Sequence, residues 1–442
     1  MPTITEAHCE TPIVEDVDVL VCGGGPAGIC AAIAAARSGA RTRLLEVHGA
    51  LGGIWTVGML AWIIDAADKG GIISEIVDQL EQRGARRFRS DKGRDFAYDI
   101  EIMKLVLEDM ASEAGVQLRY HTRVVAATRD SNNRLASVIT ESKSGREAWT
   151  ARQFIDCTGD GDLGSLAGCG FDLGLPDTGR CQPMSLLCLL TGIHFKEIEH
   201  FVGGGWAKPK DLLRAEMERG GHSPSYGKPT LFRIRDDLFC LMANHEYGVS
   251  ALDAQQITDA TVRARAEIHR LVDGLRGLGD PWSDIRMVAS GAQIGVREGR
   301  RIRGRYQVTV DDLITGARHE QGICRCTFGF DVHALDSSAD KGIDHSITGG
   351  KPSLPYDIPI GSLIAKDVDG LMMAGRCISG DFLAHSSYRV TGDAAALGQA
   401  AGVAAALAAK AAILPQDLPW SDLRTGLEAI GHSLPRDMPL PS

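Results

Sequence analysis

Three glycines and one carboxylate near the start of the chain have the spacing of a dinucleotide-binding site. Gly23, Gly25 and Gly28 follow the pattern G-x-G-x-x-G, and Glu46 comes later, at the end of an apolar run. In such a turn the glycines permit a tight bend, close approach of a pyrophosphate and close helix packing, while the carboxylate accepts from ribose hydroxyls. The pattern leaves open whether the dinucleotide is FAD or NAD, and a glycine-rich turn without a nucleotide is the alternative.

The residues around this pattern predict the elements that hold it. An apolar stretch over 17–22 precedes the glycines, an alanine-rich stretch follows them, and a second apolar stretch leads to Glu46. This order predicts a βαβ unit whose helix N-terminus points free N–H groups at an anion. We therefore expect an α/β fold with a Rossmann-like, nucleotide-binding domain built on a parallel sheet.

Two further glycine turns indicate where a flat ligand is held. Gly52 and Gly53 follow the ribose carboxylate, and their density favours close approach of a ligand over a merely flexible loop. Next to them, His48 is a structural residue, a ribose contact or a covalent flavin anchor. Alternating runs over 116–156 predict a three-stranded β-meander, which ends in a second turn at Thr158, Gly159 and Asp160.

The stretch 176–351 has a mixed strand and helix pattern without a second complete G-x-G-x-x-G, which predicts an α+β substrate cap rather than a nicotinamide domain. Apolar spacing predicts a long helix over 257–278, and shorter helices over 70–84 and 99–114 in the preceding domain. His245, His345 and Arg297 are candidates for the substrate pocket. Arg297 opens an arginine-rich run that could bind an anionic substrate or tie the two domains together.

A third informative stretch lies near the end of the chain. An apolar strand runs into Gly375 and Arg376, and a helix very rich in alanine and glycine begins near Gly392 and Asp393. The start of that helix would suit the ribityl chain or pyrimidine edge of a flavin, because a helix N-terminus stabilises negative charge there. A plain capping role for Asp393 is the alternative.

Composition excludes several other classes of protein. The chain has 442 residues and a formal net charge of −10, which argues against a nucleic-acid partner. We find no apolar run near the roughly 18 residues that span a bilayer, and no secretory pattern at the N-terminus. Eleven scattered cysteines predict reduced thiols and a cytoplasmic location. Cys324 and Cys326 have no second pair at zinc spacing, so we expect no metal. The expected partner is a small-molecule substrate, and homo-oligomer formation stays open.

Taken together, the motifs resemble the FAD-dependent oxidoreductases of the glutathione-reductase-like superfamily. The resemblance rests on DVLVCGGGPAG, FIDCTGDGDLGSLAG, VREGRRIRGRY, YDIPIGSLI and LMMAGRCISGDFLAHSSYRVTGDAAALGQAAG, and it covers roughly residues 16–411. It implies FAD in an extended form, with a discontinuous FAD-binding domain over 16–175 and 352–412, the cap over 176–351 and a C-terminal extension over 413–442. The expected FAD contacts are Gly23, Gly25, Pro26, Ala27, Gly28, Glu46, Gly52, Gly53, Val124, Thr158, Gly159, Asp160, Gly375, Arg376, Gly392, Asp393 and Ala396.

For the chemistry we expect hydride transfer between a substrate C–OH or C–NH carbon and flavin N5. His385, Arg389 and Tyr388 lie in a segment expected to be a loop beside the flavin ring. His385 would remove the proton, Arg389 would hold a carboxylate or the flavin O2, and Tyr388 would donate a further hydrogen bond. Structural roles for His385 and Arg389 are the alternatives. An NAD(P)-dependent dehydrogenase and a flavin-bearing electron-transfer partner protein are the competing functions.

Overall fold

The computed structural model describes residues 2–4, 10–88, 95–203, 207–337, 342–344, 346–347 and 349–435. His345, one of the substrate candidates, lies outside these residues. In chain order the strands are β1 (Ile13–Cys22), β2 (Thr42–Leu45), β3 (Trp62–Ile63), β4 (Arg86–Phe88), β5 (Phe96–Tyr98), β6 (Gln117–Arg119), β7 (Arg123–Arg129), β8 (Leu135–Ser142), β9 (Gly145–Asp156), β10 (Phe171–Asp172), β11 (Leu187–Thr191), β12 (Thr230–Arg233), β13 (Phe239–Met242), β14 (Arg286–Ser290), β15 (Arg301–Ile302), β16 (Gly322–Cys326), β17 (Tyr356–Pro359) and β18 (Leu371–Met373).

The structure has further helices beside those that apolar spacing predicts. The helices are α1 (Pro26–Arg37), α2 (Gly71–Gln82), α3 (Ile100–Glu113), α4 (Asp162–Leu166), α5 (Phe195–Ile198), α6 (Ala207–Arg219), α7 (Ala254–Arg276), α8 (Val310–Thr315), α9 (Phe382–Tyr388), α10 (Thr391–Ala411) and α11 (Trp420–Ala429). The predicted helices over 70–84, 99–114 and 257–278 are thereby confirmed as α2, α3 and α7.

A seven-stranded sheet forms the centre of the first domain, with the order β6-β2-β1-β9-β8-β7 and with β18 also paired to β9. β1 runs parallel to both β2 and β9, and β7, β8 and β9 form the predicted antiparallel meander. Cys22 at the end of β1 is in register with Asp156 at the end of β9. The two glycine turns that follow these strands therefore lie side by side at the carboxyl edge of the sheet, where ligands bind in such folds. The α/β fold class is confirmed.

Helices α1 and α10 pack against each other through glycine. A Cβ atom on Gly398 would lie 2.0 Å from the carbonyl oxygen of Ala27, and one on Gly402 would lie 2.2 Å from that of Ala31. Only glycine permits this approach of two helix backbones. Of the helices in the described residues, α10 alone is long and apolar enough to cross a membrane, and 83% of its apolar window is buried inside the protein. The expectation that no apolar run approaches the length of a membrane span is therefore wrong. A helix packed inside a protein needs an apolar, alanine-rich sequence just as a membrane-spanning helix does, and α10 is such a buried helix.

The cap contains a four-stranded antiparallel sheet with the order β12-β13-β11-β14. Buried residues of α7, such as Ile268 and Leu271, join residues of this sheet in a second hydrophobic core. Residues of 302–326, within the predicted cap, instead pack in the first core. The predicted domain boundaries remain a prediction.

The segment expected to be a loop beside the flavin is helical. α9 begins after Asp381, whose side chain accepts a hydrogen bond from the N–H of Ala384, and its residues are largely buried. The loop expectation was wrong because Asp381 caps the segment and most of its side chains are buried, which favours a short helix over a loop. The ten cysteines in the described part of the chain are all free and buried.

Candidate functional site

A cavity of about 450 Å³ is lined by residues of the first glycine turn and of the predicted cap. Glu46 and His48 lie at one end of its lining, and Arg297, Asp331 and Arg389 belong to the part that the cap and the α9 region build. The predicted cofactor residues that line it are Gly23, Gly25, Pro26, Ala27, Glu46, Gly53, Val124, Thr158, Gly159, Asp160, Gly375 and Arg376. Gly28, Gly52, Gly392, Asp393 and Ala396 lie behind this lining.

The glycine turn has the backbone geometry that a pyrophosphate site requires. Gly23 adopts a left-handed conformation with φ +101°, and a Cβ on Gly28 would lie 1.8 Å from the carbonyl oxygen of Gly23. A Cβ on Gly25, by contrast, would meet nothing within 4 Å, so this glycine leaves open space at the helix start. α1 begins at Pro26 without a side-chain cap, which leaves its first N–H groups available to an anion.

Glu46 is held rigidly beside this turn. Its Oε2 atom accepts a hydrogen bond from the N–H of Gly24 at 2.5 Å, and its Oε1 atom accepts one from the N–H of His48 at 2.8 Å. Each carboxylate oxygen keeps a further lone pair for a ribose hydroxyl. The His48 side chain lines the same end of the cavity. Among the three roles left open for His48, this position suits a ribose contact.

The second glycine turn is organised by a buried carboxylate. Asp156 accepts hydrogen bonds from the N–H of Thr158 at 3.0 Å and of Gly164 at 2.8 Å. Burial raises the pKa of Asp156 to about 6, although these hydrogen bonds act in the opposite direction. Asp160 then forms an ion pair with Arg376 at 3.0 Å. The two motifs, far apart in sequence, therefore meet across the middle of the cavity.

Charged side chains surround the end of the cavity nearest the cap. Nη2 of Arg389 lies 2.8 Å from Oδ2 of Asp331 and also donates to the main-chain oxygen of Asp331. Arg297 donates to the carbonyl oxygen of Pro183 at 2.6 Å and to Oγ of Ser185 at 2.9 Å. Two guanidinium groups thus face this space together with one carboxylate.

Behind Asp331 lies a buried group of imidazole and aromatic rings. Nε2 of His333 is 3.4 Å from Oδ2 of Asp331, and the His333 ring is 4.9 Å from the ring of His245 and 5.7 Å from that of Tyr226. Burial, followed by the positive charge of Arg297, lowers the pKa of His333 to about 4. His333 is therefore neutral at pH 7. The predicted candidate His245 belongs to this group but does not line the cavity.

His385 and Tyr388 lie away from the cavity. Both side chains are fully buried in α9 and pack edge to face, with ring centroids 5.5 Å apart. Neither ring nitrogen of His385 has a hydrogen bond of normal geometry within the described residues, and burial lowers its pKa well below the usual value. Tyr388 donates to the carbonyl oxygen of Ile378. These positions favour the structural alternative for His385 and Tyr388, and of the three proposed catalytic residues Arg389 alone lines the cavity.

Asp393 faces away from the cavity, into a buried polar cluster. Its Oδ1 atom lies 2.6 Å from Nζ of Lys69, whose ammonium also lies 3.3 Å from Oδ2 of Asp65. Burial by itself lowers the pKa of Lys69, but the carboxylates of Asp393 and Asp65 outweigh it and raise the pKa well above its usual value. The flavin contact expected for Asp393 therefore does not fit this orientation, whereas Thr391 and Ala394 of the same helical turn do line the cavity.

The Cys324 and Cys326 thiols belong to the same cluster. Together with Asp393 they offer three metal-ligand atoms within 4.8 Å of one another. The ammonium of Lys69 lies 2.6 Å from Oδ1 of Asp393, so a positive charge already adjoins this group, and the expectation that it binds no metal stays a prediction.

Comparison with known families assigns this site to a class. Residues 18–427 match the family described as FAD dependent oxidoreductase, and the chain belongs to this family. The protein is therefore an oxidoreductase whose cofactor is FAD, which answers the choice between FAD and NAD that the glycine pattern left open. No curated protein matches the chain significantly.

Several solved structures are similar over most of the chain. A geranylgeranyl bacteriochlorophyll reductase-like protein from Thermoplasma acidophilum has a TM-score of 0.48 and 15% identity, covering 94% of this chain and 83% of its own. p-Nitrophenol 4-monooxygenase from Pseudomonas putida has a TM-score of 0.46 and 12% identity, covering 93% of this chain and 84% of its own. A myxobacterial chondrochloren halogenase has a TM-score of 0.48 and 15% identity, covering 94% of this chain and 78% of its own. These likenesses are too distant to say anything about the substrate.

The residues present fit FAD. An uncapped helix N-terminus, the open space at Gly25 and the fixed carboxylate of Glu46 are what a dinucleotide requires at one end, and the cavity continues from them towards the cap. Sequence reasoning missed Asp331 and His333 as members of the site. Their D-x-H spacing in an extended stretch was the available signal, because alternate residues of an extended chain point the same way. Gln182, whose Oε1 accepts from the N–H of His333 and lies 3.4 Å from Nη2 of Arg389, carried no signal of this kind.

Proposed function

We propose that this flavoenzyme transfers a hydride between a small polar organic substrate and FAD, at a carbon that carries an OH or NH group. The observation that supports this proposal most is the charged end of the cavity, where Arg297, Asp331 and Arg389 meet beyond the glycine-lined part. Such a group can hold a polar molecule and accept its proton, which are the tasks that the protein must perform in flavin chemistry.

Within this proposal each protein group has a separate task. FAD, when bound, supplies the hydride acceptor at N5. Gly23, Gly25 and Glu46 hold its ADP half, and Arg376 lies in the middle of the cavity. Asp331 accepts a hydrogen bond from the substrate OH or NH and takes its proton as the C=O or C=N bond forms. Arg389 fixes the Asp331 carboxylate and supplies a compensating positive charge.

The charge state of Asp331 suits the role of acceptor. Burial by itself raises the pKa of Asp331, but the basic side chains of His333, Arg389 and Arg297 outweigh it and place the pKa well below its usual value. The carboxylate is therefore ionised at neutral pH, ready to accept a hydrogen bond. A carboxylate with such a low pKa is a weak base, so the charge of the bound substrate must raise the pKa of Asp331 before it can take a proton.

An anaerobic screen tests the proposal. The purified protein carrying FAD is mixed with hydroxy acids, sugars, amino acids and cyclic amines, and the absorbance of the oxidised flavin is followed. We expect members of one of these classes to bleach the flavin without any protein partner. Bleaching only by another redox protein would instead favour the electron-transfer alternative, and no bleaching by any compound of these classes would contradict the proposal.

Three broader expectations belong to the same proposal. The parallel pairing of β1 with β9, together with the β7-β8-β9 meander, supports a place within the glutathione-reductase-like superfamily. A small molecule is the proposed partner, without nucleic acid or membrane, and homo-oligomer formation stays open. The buried, reduced cysteines support the proposed cytoplasmic location.

A further inference from the structure

Arg297 differs in its surroundings from the other buried and half-buried arginines of this region. Arg301, Arg325, Arg376 and Arg389 each form an ion pair with a carboxylate. Arg297 has no ion-pair partner within the described part of the chain, and its contacts are the carbonyl oxygen of Pro183, the hydroxyl of Ser185 and the sulfur of Met242. All three are neutral groups, and the nearest carboxylate that acts on Arg297, that of Asp331, is already paired with Arg389, so two guanidinium groups share one carboxylate here.

The guanidinium nevertheless stays charged. Burial, followed by repulsion from Arg389, lowers the pKa of Arg297 to about 10, which is still well above neutral pH. Arg297 lines the cavity, so its positive charge faces the space that the ligand enters. Two guanidinium groups that share one carboxylate in a half-buried site leave an excess positive charge, which an anion would offset. This position therefore favours a negatively charged ligand group.

Buried polar atoms in the same group also lack partners. Within the described residues, Nε of Arg389 and Nε2 of Gln182 have no hydrogen-bond partner. These two residues are in contact, because Nη2 of Arg389 lies 3.4 Å from Oε1 of Gln182. Buried donors are normally paired in folded proteins, so the unpaired Nε of Arg389, which lines the cavity, favours a ligand with acceptor oxygens.

From these observations we propose that Arg297 binds a carboxylate of the substrate, with Arg389 as the second positive charge, so that the substrate is a small organic acid bearing the C–OH or C–NH bond to be oxidised. This inference rests on the function proposed above. A carboxylate matches the planar guanidinium fork with two parallel hydrogen bonds, which also fixes the orientation of the acid.

Binding of the substrate carboxylate would also raise the pKa values of the proton acceptors Asp331 and His333. The positive charges of Arg297 and Arg389 are among the causes that lower the pKa values of His333 and Asp331. An anion bound to Arg297 offsets that charge and raises both pKa values, because an opposite charge nearby acts on them in the reverse direction. Asp331 and His333 then become stronger bases only when the acid is in place.

Binding of oxalate and pyruvate to the FAD-loaded protein tests the inference without turnover. Each acid is titrated into the protein while heat release and the flavin absorbance spectrum are recorded, and sodium chloride at the same ionic strength serves as the reference. We expect saturable binding of at least one of the two acids. Arg297→Met should weaken it by about tenfold to a hundredfold, the usual effect of losing a charge-assisted hydrogen bond. Arg297→Lys should weaken it less, because the charge remains.

Arg305→Met is the matched control, since Arg305 belongs to the same arginine-rich run but forms a partly exposed ion pair with Asp369. It should leave acid binding unchanged. The FAD-to-protein ratio and the melting temperature verify that each variant is folded and loaded. Absence of acid binding in the natural protein, or equal binding in Arg297→Met, would overturn the inference.

A measurement of the flavin reduction potential distinguishes binding of the substrate carboxylate by Arg297 from a direct effect of Arg297 on the flavin. If Arg297→Met shifts the potential but leaves acid binding unchanged, Arg297 serves the flavin, and the inference is overturned. If acids bind through Arg297 but no C–OH or C–NH compound bleaches the flavin, the carboxylate site stands and the proposed hydride transfer fails.

Discussion

Arg389 and Asp331 form an ion pair, 2.8 Å between Nη2 and Oδ2, that connects the segment before α10 to the cap at the charged end of the cavity. The pair explains why only one of the three residues expected to be catalytic faces the ligand. Arg389 follows α9 and turns towards the cavity, whereas His385 and Tyr388 lie on the packed side of that helix.

Asp331→Asn should slow reduction of the flavin by substrate about a hundredfold, the usual contribution of a positioned base, while FAD stays bound. The amide keeps the size of the side chain but cannot take a proton. Anaerobic stopped-flow mixing measures the rate. Asp336→Asn, in an exposed ion pair with Arg180, should have no effect. An unchanged rate in Asp331→Asn would remove Asp331 from its proposed role.

His385→Leu should leave flavin reduction far less affected than the about hundredfold loss expected for a base. Its ring is buried, lies outside the cavity lining and has unsatisfied nitrogens, so an apolar side chain of similar size should be tolerated or even stabilising. The same stopped-flow assay applies, with Asp331→Asn as the positive control. A loss in His385→Leu as large as that in Asp331→Asn, in a protein that melts normally, would return the role to His385.

Gly398→Ala should destabilise the protein by about 1–3 kcal/mol or more, the usual cost of overpacking, and should weaken retention of FAD. The new Cβ would collide with the carbonyl oxygen of Ala27, in the first turn of the helix that receives the pyrophosphate. Denaturant unfolding and FAD release on dilution measure the two effects. Gly277→Ala is the control, because its Cβ would lie 3.4 Å or more from its neighbours. Equal behaviour of the two variants would show that the α1–α10 contact has been misjudged.

Lys69→Met should reduce the free energy of unfolding by about 3–5 kcal/mol, because it leaves buried carboxylates without their cation. Adding Asp393→Leu should recover part of that loss, since contacting charges are not additive. Denaturant unfolding of both single variants and the double variant gives the coupling. Lys104→Met, at a largely exposed pair with Glu101, should cost about 0–1 kcal/mol. Strict additivity would contradict an ion pair between Lys69 and Asp393.

Acid should destabilise the protein partly through His333. The pKa of His333 is about 4 in the folded protein and about 6.5 in the unfolded chain, so the unfolded state binds a proton first. Stability is thus fully present above about pH 6.5 and is lost as the pH falls towards 4, by at most about 3 kcal/mol. His333→Phe should flatten this slope in pH-dependent unfolding. An unchanged slope in His333→Phe would contradict the pKa shift.

Much of the cofactor half of the site could be predicted from local sequence. Gly23, Gly25, Gly28 and Glu46 follow one another closely, and their roles depend on the backbone of a single strand, turn and helix. The same is true of the turn after β9, where Thr158 and Gly159 reach the cavity as expected. Such features can be read from spacing because short-range geometry determines them.

The substrate half depended on tertiary structure. His385 looked suitable from its residue type and its place in the chain, but the burial of α9 decides its environment, and helix packing against distant segments is not encoded by spacing. Asp331 and His333 come from one stretch and Gln182 from another, far earlier in the chain, and only the tertiary structure brings both stretches beside Arg389. Asp393 likewise faces Lys69 rather than the flavin site because of the direction in which α10 packs.

The amino-acid sequence by itself determined that this protein holds a dinucleotide on a Rossmann-like sheet, and through its family that the dinucleotide is FAD. The tertiary structure alone decided which charged groups face the ligand. The physical reason is that a phosphate site is built from consecutive backbone groups. The charge at the other end of the cavity depends instead on which distant side chains form ion pairs, as Arg389 does with Asp331. Others, like Arg297, have no ion-pair partner within the described residues.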